Sequence, residues 1–253
     1  MSFTPDSYSP APDLLKDRII LITGAGDGIG AEAARECARH GATVVLTGRT
    51  QAKLEAVYDA IVAEGGPEPT IAVIDFAKAQ GDDYRAIANA LAEQFGHLDG
   101  LLHNAGILGY LSPIEHFEVP KWLEVMHVNV NAQFILTQEL LPLLKAADDP
   151  TIVFTSSGVG RKGRALWGAY AVSKFATEGL METLADELDY ARVNCINPGA
   201  TRTAMRRAAY PAEDPTTLKT PADIMPTYLY LLGPDSRGTS GQSLDCQPKR
   251  VRK

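Results

Sequence analysis

The chain has few cysteines and an excess of acidic residues, and both facts exclude functions. Its three cysteines, Cys37, Cys195 and Cys246, are too few and too widely spaced for a disulfide framework or a zinc-binding pattern. A formal net charge of −7 argues against generic binding to nucleic acid or to an anionic membrane. No apolar run approaches the ~20 residues that span a bilayer, and the N-terminal segment lacks the basic start and apolar core of a secretory signal. We therefore expect a cytoplasmic protein with no metal site and with neither nucleic-acid nor membrane partners.

Short apolar runs alternate with amphipathic segments along the chain, and the composition, 45% hydrophobic and 22% charged, is that of one globular unit. The runs show little polar alternation, which is typical of strands covered on both faces. This order predicts an α/β fold, a single-domain doubly wound parallel sheet of about seven strands with helices on both faces. We predict strands at 19–23, 43–47, 71–74, 100–103, 151–155, 192–196 and 243–245, and helices at 29–40, 51–64, 82–95, 122–145, 169–189 and 221–232. Residues 1–17, rich in Pro and Ser, are expected to form an arm, 18–246 the catalytic domain and 247–253 a tail.

Residues 19–30, IILITGAGDGIG, join an apolar run to a helical pattern through three glycines, Gly24, Gly28 and Gly30. Glycine is needed where the backbone adopts positive φ or approaches a ligand closely. The helix start that follows offers unpaired N–H groups and a partial positive charge, which suit a pyrophosphate. The spacing TGxxxGxG departs from the GxGxxG dinucleotide fingerprint, so a purely structural turn is an equal alternative for this segment alone.

Tyr170 and Lys174, in the sequence YAVSK, stand one helical turn apart on one face of the predicted 169–189 helix. A nearby ammonium favours the phenolate, so we expect Lys174 to lower the pKa of Tyr170 and make it a usable proton donor or acceptor. The YxxxK spacing by itself is common on helix surfaces, and only its context gives it weight.

That context is a set of polar groups at the carboxyl ends of predicted strands, the edge where open α/β sheets bind ligands. Ser157 follows the fifth strand, Asn104 and Gly106 follow the fourth, and Pro198 and Gly199 follow the sixth. Asn129 lies within the long 122–145 helix. A turn, a cap and a helix polar group explain each of these singly, but a shared edge favours one site.

With these motifs in hand, the chain resembles the short-chain dehydrogenase/reductase family from about residue 19 to 245, and longer segments are similar to its YciK group of bacterial oxidoreductases. TGAGDGIG, NAG, the Asn129 helix, Ser157, YAVSK and NPG occur in the family's order and spacing. The resemblance implies a Rossmann-like fold and reversible hydride transfer between a nicotinamide cofactor and a carbonyl or secondary alcohol substrate. A catalytically silent dinucleotide-binding sensor or scaffold on the same fold is the alternative.

The resemblance also implies roles for individual residues. Tyr170 is the expected general acid/base, Ser157 holds the substrate oxygen with Ser156 as its rival, Lys174 binds the nicotinamide ribose, and Asn129 holds a water that relays protons. Asp75 is expected beside the adenine, Asn104 near the adenosine ribose, and Thr201 or Thr203 near the carboxamide. The complete expected cofactor-binding set is Gly24, Asp27, Gly28, Ile29, Gly30, Arg49, Asp75, Asn104, Ala105, Gly106, Tyr170, Lys174, Pro198, Gly199, Thr201 and Thr203.

Cofactor choice is predicted from the end of the second strand, where Gly48 stands at the position at which NAD-using relatives carry Asp. Arg49 follows, and a guanidinium can grip a 2′-phosphate with paired donors. We therefore expect NADP(H) to be preferred over NAD(H), with a plain loop role for Arg49 as the alternative. Asp27 weakens the expectation because some NADP-using relatives carry a basic residue in that turn.

Two segments are expected at the mouth of the pocket, 160–167 and 201–210, and they hold the basic residues Arg161, Lys162, Arg164, Arg202, Arg206 and Arg207. Their positive charge can attract an anionic substrate, and a solvated rim or a subunit contact is an equal alternative. Residues 205–219 are expected to form a lid over the cofactor. The family resemblance further implies a homodimer or homotetramer.

Overall fold

A computed structural model describes residues 3–247, which form one parallel sheet with helices on both sides. The seven strands lie in the order β3-β2-β1-β4-β5-β6-β7, and every neighbouring pair is parallel. They are β1 (Ile19–Thr23), β2 (Thr43–Gly48), β3 (Thr70–Val73), β4 (Gly100–His103), β5 (Thr151–Thr155), β6 (Arg192–Asn197) and β7 (Gln242–Asp245). The predicted fold class is confirmed.

Eight α-helices follow or connect these strands in the described part of the chain, residues 3–247. They are α1 (Gly28–Arg39), α2 (Gln51–Ala63), α3 (Gly81–Gln94), α4 (Val119–Met126), α5 (Ala132–Lys145), α6 (Gly168–Glu187), α7 (Ala204–Ala209) and α8 (Met225–Leu232). Not one of the helices within this range has both the length and the apolar character needed to cross a membrane.

The core consists of two layers because successive side chains of each buried strand point to opposite faces of the sheet. In β1, Ile20 and Ile22 pack into the layer that contains α1, α2 and α8, whereas Ile19 and Leu21 pack into the layer that contains α3, α5 and α6. Both faces are therefore buried, which explains why the strands read as continuous apolar runs.

The strand order reverses between β1 and β4, because the chain moves from β1 outward to β3 and then returns to the other side of β1. The loops after β1 and β4 therefore run in opposite directions and leave a crevice between them. This crevice lies at the carboxyl edge of the sheet, where the polar residues singled out from the sequence also end.

Two of the predicted helices are wrong in detail. The helix predicted over 122–145 begins three residues earlier, at Val119, and is interrupted by a π-helical turn at His127–Asn131. A π-turn depends on packing and leaves no periodic signal in the sequence, so the pattern could not show it. The 221–232 prediction begins as a 3₁₀ turn at Ala222–Ile224 before α8, and the short helix α7 was not predicted.

The N-terminal segment packs on the domain. Leu14 and Leu15 are buried in the same layer as α1 and α8, and the Phe3 ring stacks on Tyr230 with the centroids 4.0 Å apart. At the other end, the Gln247 amide donates to the Pro198 carbonyl at 2.8 Å. The rest of the predicted tail, 248–253, lies outside the described residues.

A cluster of ionic groups joins the amino-terminal ends of the strands, on the side opposite the crevice. Asp149 Oδ2 lies 3.6 Å from Arg18, 3.1 Å from Arg192 and 3.3 Å from Arg237. Burial lowers the pKa values of Arg18 and Arg192. For Arg18, the carboxylates of Asp99 and Asp149 act to raise the pKa again. The Asp149 carboxylate thus serves both of these largely buried guanidinium groups, and Asp99 adds a second carboxylate beside Arg18.

We predict that Asp149→Asn lowers the free energy of unfolding by about 2 kcal/mol, because it leaves the charge of Arg192 without its counter-ion and removes one of the two carboxylates that act on Arg18. Urea denaturation measures the change. The exposed neighbour Asp148 provides the matched control, and Asp148→Asn is expected to alter stability by less than ~0.5 kcal/mol. Equal effects of the two substitutions would contradict the role assigned to the cluster.

Candidate active site

The crevice at the carboxyl edge of the sheet is a continuous cleft of about 530 Å³. Fifteen of the expected cofactor-binding residues line it, together with Ser157. These are Gly24, Asp27, Gly28, Ile29, Arg49, Asp75, Asn104, Ala105, Gly106, Tyr170, Lys174, Pro198, Gly199, Thr201 and Thr203. Two expected site residues, Gly30 and Asn129, lie behind its wall and support it.

The glycine turn after β1 needs its glycines for two different reasons. Gly24 and Gly28 have φ angles of 67° and 55°, a region that side-chain-bearing residues rarely adopt. Gly30 is instead required by close packing, since a Cβ there would lie 2.2 Å from the Gly24 carbonyl oxygen and 2.5 Å from Asn104 Nδ2. The amino end of α1 is thereby brought directly beneath the turn and faces the cleft.

Thr23, which the sequence analysis did not select, ties the two sides of the crevice together. Its hydroxyl accepts hydrogen bonds from the backbone N–H groups of Asn104 and Ala105, both at 2.9 Å. The Asn104 side chain adds a third hydrogen bond to the same residue, since its Nδ2 donates to the Thr23 carbonyl at 3.1 Å. The position of Thr23 as the last residue of an apolar strand next to a glycine turn was the available signal.

Asn129 lies in the π-turn and its side chain is fully buried. Its Oδ1 accepts from the Ile107 backbone N–H at 2.8 Å, and its Nδ2 donates to the Ile107 carbonyl at 2.9 Å and to Ser173 Oγ at 3.0 Å. The amide therefore fastens the loop after β4 to α6. A π-turn at this point is in keeping with the frequent occurrence of such turns at functional sites.

The Tyr170 side chain is nearly buried on α6, and its hydroxyl is hydrogen-bonded to Ser157. Burial raises the pKa of Tyr170 to about 12, and the Ser157 hydrogen bond acts in the opposite direction. Ser157 begins the 3₁₀ turn Gly158–Gly160 and is half-buried, whereas Ser156 is buried and its Oγ has no hydrogen-bond partner among the described residues. Both serines line the cleft, and Ser157 is the one whose hydrogen bond lowers the pKa of Tyr170.

Lys174 is buried, and its Nζ donates to the Thr155 carbonyl at 2.7 Å and lies 5.6 Å from the centroid of the Tyr170 ring. Burial lowers the pKa of Lys174 to about 8, although Cys195 and Glu178 act to raise it. The expectation that Lys174 lowers the pKa of Tyr170 is wrong for this structure, because burial raises that pKa and the group that lowers it is Ser157. The ammonium of Lys174 points instead at the end of β5.

At the other end of the cleft, Arg49 is joined by a second basic residue that the sequence analysis missed. Lys53 also lines the cleft, and its Nζ lies 2.6 Å from Asp27 Oδ2. This contact lowers the pKa of Asp27 and compensates its negative charge. The signal was available, since Lys53 follows Arg49 by four residues at the start of a predicted helix.

The loop after β6 forms the opposite wall. Thr201 is buried and donates to the Pro198 carbonyl at 3.2 Å, whereas Thr203 begins α7 and its Oγ1 accepts from the Arg206 N–H. The Thr203 methyl carbon lies 3.6 Å from the point that a Cβ on Gly28 would occupy. Thr203 thus faces the glycine turn across the cleft.

The basic residues of the two mouth segments do not converge on the cleft. Arg161 turns to β7, where it bonds Ser243 and lies 2.7 Å from Asp245. Arg202 Nε donates to the Pro215 carbonyl at 2.8 Å. Among the arginines and lysine singled out in these segments, Arg206 is the one that lines the cleft.

This arrangement can be compared with known proteins. The sequence profile described as short chain dehydrogenase matches residues 18–214. The chain belongs to the short-chain dehydrogenase/reductase family. It is therefore an oxidoreductase of the kind that interconverts CH–OH and C=O groups.

The similar proteins agree with this membership along nearly the whole chain. The uncharacterized oxidoreductase YciK of Escherichia coli (strain K12) is 56% identical over 244 residues, which cover 96% of this chain and 97% of that protein. A short-chain dehydrogenase from Escherichia coli CFT073 complexed with NADPH is 56% identical, with a TM-score of 0.93 and coverage of 94% of this chain and 100% of that one. A short-chain dehydrogenase from Shigella flexneri 2a str. 301 complexed with NADP is 55% identical, with the same TM-score and coverage.

The cleft of this chain fits such a dinucleotide. At Gly106 the wall has no room for a side chain, because a Cβ there would lie 3.2 Å from Asn129 Oδ1 and 3.7 Å from Lys174 Nζ. Many of the lining residues belong to the β1–α1 turn, to the ends of β2 and β4, or to the loop after β6, and these are the positions from which a doubly wound sheet binds an extended nucleotide.

We predict that the stability difference between the wild type and Lys174→Met changes with pH. The folded pKa of Lys174, about 8, lies below the ordinary value of a lysine in an unfolded chain, about 10.4. Between these values the unfolded state binds more protons, so the contribution of Lys174 to the free energy of unfolding increases as pH rises.

Urea denaturation at about pH 8 and about pH 10 measures this difference. We expect the wild type to gain roughly 2 kcal/mol relative to Lys174→Met across that range. Groups other than Lys174 titrate in both proteins and cancel. A difference that stays constant with pH would contradict the buried, partly neutralised amine.

Proposed function

We propose that the protein is an NADP(H)-dependent carbonyl reductase or alcohol dehydrogenase whose general acid/base is Tyr170. The observation that carries the proposal is the convergence of Ser157, Tyr170 and Lys174 on the cleft that the glycine turn also lines. A catalytically silent binding protein has no need of a buried lysine beside a tyrosine ring, and nothing in the site favours that alternative.

The proposed chemistry assigns one task to each side chain. A bound nicotinamide cofactor would supply the hydride that reduces a carbonyl carbon, or take up the hydride from an alcohol carbon in oxidation. In reduction, Tyr170 Oη donates its proton to the substrate oxygen, which Ser157 Oγ holds by a hydrogen bond. Lys174 Nζ would hold the ribose hydroxyls of the cofactor and would add positive charge near the developing alkoxide. In oxidation the proton moves back to Tyr170.

Asn129 is proposed as a positioning residue. Its side-chain amide is used by Ile107 and Ser173, so a water that relays protons would bind at its backbone carbonyl rather than at the side chain. This carbonyl lies 3.4 Å from Thr177 Oγ1, one turn after Ser173 on α6. The proton path would then run from Tyr170 past Lys174 towards the π-turn.

Preference for NADP(H) over NAD(H) is supported by charge at the adenosine end of the cleft. Gly48 leaves no carboxylate at the end of β2, and Arg49 and Lys53 line the same region. Asp27, which weakened the prediction from sequence, is paired with Lys53 and does not face a phosphate as an uncompensated charge. A 2′-phosphate would meet two cations and a compensated carboxylate there.

Assembly and location are proposed on separate grounds. Phe134 on α5 and Val172 and Phe175 on α6 are 49%, 42% and 45% exposed, which favours pairing of these two helices in a homodimer or homotetramer. Sedimentation equilibrium tests this, and the 27.2 kDa mass of one chain would contradict it. The three buried, unpaired cysteines suit a reducing cytoplasm, where we place the protein.

We predict that Tyr170→Phe lowers kcat for carbonyl reduction by at least about a thousand-fold, because the phenyl ring keeps its packing but has no proton to give. The dissociation constant for NADPH, measured by fluorescence titration, is expected to change less than about three-fold. Tyr190→Phe, which alters a tyrosine distant from the cleft, is the control. Near-normal turnover by Tyr170→Phe would disprove the assignment.

A second prediction concerns the phosphate. Arg49→Ala and Lys53→Ala should each weaken NADPH binding about ten-fold while leaving NADH binding within about two-fold, because only NADPH carries the 2′-phosphate. The control is Arg85→Ala, which removes a guanidinium from the surface of α3. Equal losses for the two dinucleotides would show that these side chains do not recognise the phosphate.

A further inference from the structure

The end of the cleft beside Tyr170 is lined by an apolar cluster that is separate from the two layers of the core. Its buried members are Leu108, Trp167, Tyr170, Ala171 and Ala209. They come from the loop after β4, the start of α6 and the end of α7. Their convergence is therefore produced by the fold and not by a single segment.

Trp167 is the largest flat surface in this cluster. It lines the cleft, it is 9% exposed, and its ring lies 5.7 Å from the Tyr170 ring and 6.0 Å from the Tyr210 ring, centroid to centroid. It stands three residues before Tyr170 at the start of α6, so helix geometry fixes the indole relative to the phenol.

The backbone holds the indole in place. Leu166 has a φ angle of 72°, which is rare for a branched residue, and its carbonyl accepts a hydrogen bond from the Ser112 N–H at 3.0 Å. A Cβ on the next residue but one, Gly168, would lie 3.1 Å from the Phe117 ring. A strained conformation held from two sides is the kind that persists next to functional sites.

The charged side chains at this end of the cleft are already paired. Arg206 forms two hydrogen bonds with Glu213, at 2.6 and 2.7 Å, and its guanidinium lies 4.0 Å from the centroid of the Tyr210 ring. Glu124 is bonded to Lys121. Within residues 3–247, the other charged side chains that line the cleft are Lys174 and, at the adenosine end, Asp27, Arg49, Lys53 and Asp75.

From these contacts we infer that the substrate is a neutral carbonyl compound whose apolar ring packs on Trp167. This inference rests on the proposed dehydrogenase function and replaces the anionic substrate expected from sequence. A carboxylate on the ring would lose its hydration on binding. The neighbouring ion pairs are already complete and offer it no free partner, so burial of its charge would be unfavourable. A ring also loses less conformational entropy on burial than an open chain with the same number of carbons.

Three ketones separate the features of this inference. Cyclohexanone is the neutral ring, 2-hexanone is its acyclic counterpart with six carbons, and 4-oxocyclohexanecarboxylate adds a charge to the same ring. With NADPH at saturation, we expect kcat/KM for cyclohexanone to exceed that for 2-hexanone by about ten-fold and that for the carboxylate by about a hundred-fold.

Variants then test whether Trp167 is responsible. Trp167→Ala is expected to raise the KM for cyclohexanone about ten-fold with kcat within about three-fold, and to leave 2-hexanone and NADPH binding nearly unchanged. Trp167→Phe keeps an aromatic face and should restore most of the preference. Tyr190→Ala, which removes an aromatic ring that does not line the cleft, is the matched control and should behave as the wild type.

The outcomes are distinguishable. Turnover of 2-hexanone or of the carboxylate at a rate equal to that of cyclohexanone overturns the inference and leaves the dehydrogenase function standing. A parallel loss for cyclohexanone and 2-hexanone in Trp167→Ala also overturns it, since this would be general damage to the site. Turnover of none of the three, in either direction and with NADPH bound, contradicts the inference together with the function on which it rests.

Discussion

The buried ammonium of Lys174 donates to the carbonyl at the end of β5, and the other features of the site are arranged around this contact. Removing a charged amine from water is unfavourable, so the fold has to supply polar partners where the helix α6 crosses the sheet edge. The Thr155 carbonyl is one such partner, and the ring face of Tyr170 is another. Burial, by lowering the pKa of the amine to about 8, keeps it close to the point at which it can lose its proton.

The reversal of strand order next to β1 explains why this contact lies beside a nucleotide cleft. Two loops that leave the sheet in opposite directions need a direct contact to stay close to each other. The Thr23 hydroxyl provides this contact by accepting two backbone hydrogen bonds from the loop after β4. Asn129 provides a second tie from that loop to α6. The wall of the cleft is thus a chain of short polar contacts from β1 to the helix that carries Tyr170.

Much of this architecture could be predicted from sequence, because strands buried on both faces and glycine turns leave strong local signals. All seven predicted strands are present, and their ends differ from the predicted ones by a single residue at most. The π-turn at Asn129 and the helix α7 could not be predicted, since neither has a periodic pattern and both depend on packing against other elements.

The electrostatics of the site were the least predictable part. The sequence places Lys174 one turn from Tyr170, but only the structure shows that the amine points at Thr155 and that burial raises the pKa of the phenol. Likewise, the basic residues near the cleft mouth look like an anion site in sequence, whereas Arg161 and Arg206 are bound to acidic partners in the fold. Spacing along a helix fixes which side chains are neighbours, but not how far each is desolvated.

A crystal structure of the protein with NADP⁺ tests the central claim most directly. The account predicts that the hydroxyl groups of Tyr170 and Ser157 face the same side of the nicotinamide ring. The space between them should accommodate a substrate carbonyl carbon roughly 3–3.5 Å from nicotinamide C4, and Lys174 Nζ should reach the adjoining ribose. A nicotinamide ring bound away from Tyr170, with the phenol hydroxyl still turned to Ser157 and Lys174 out of reach of the ribose, would contradict it.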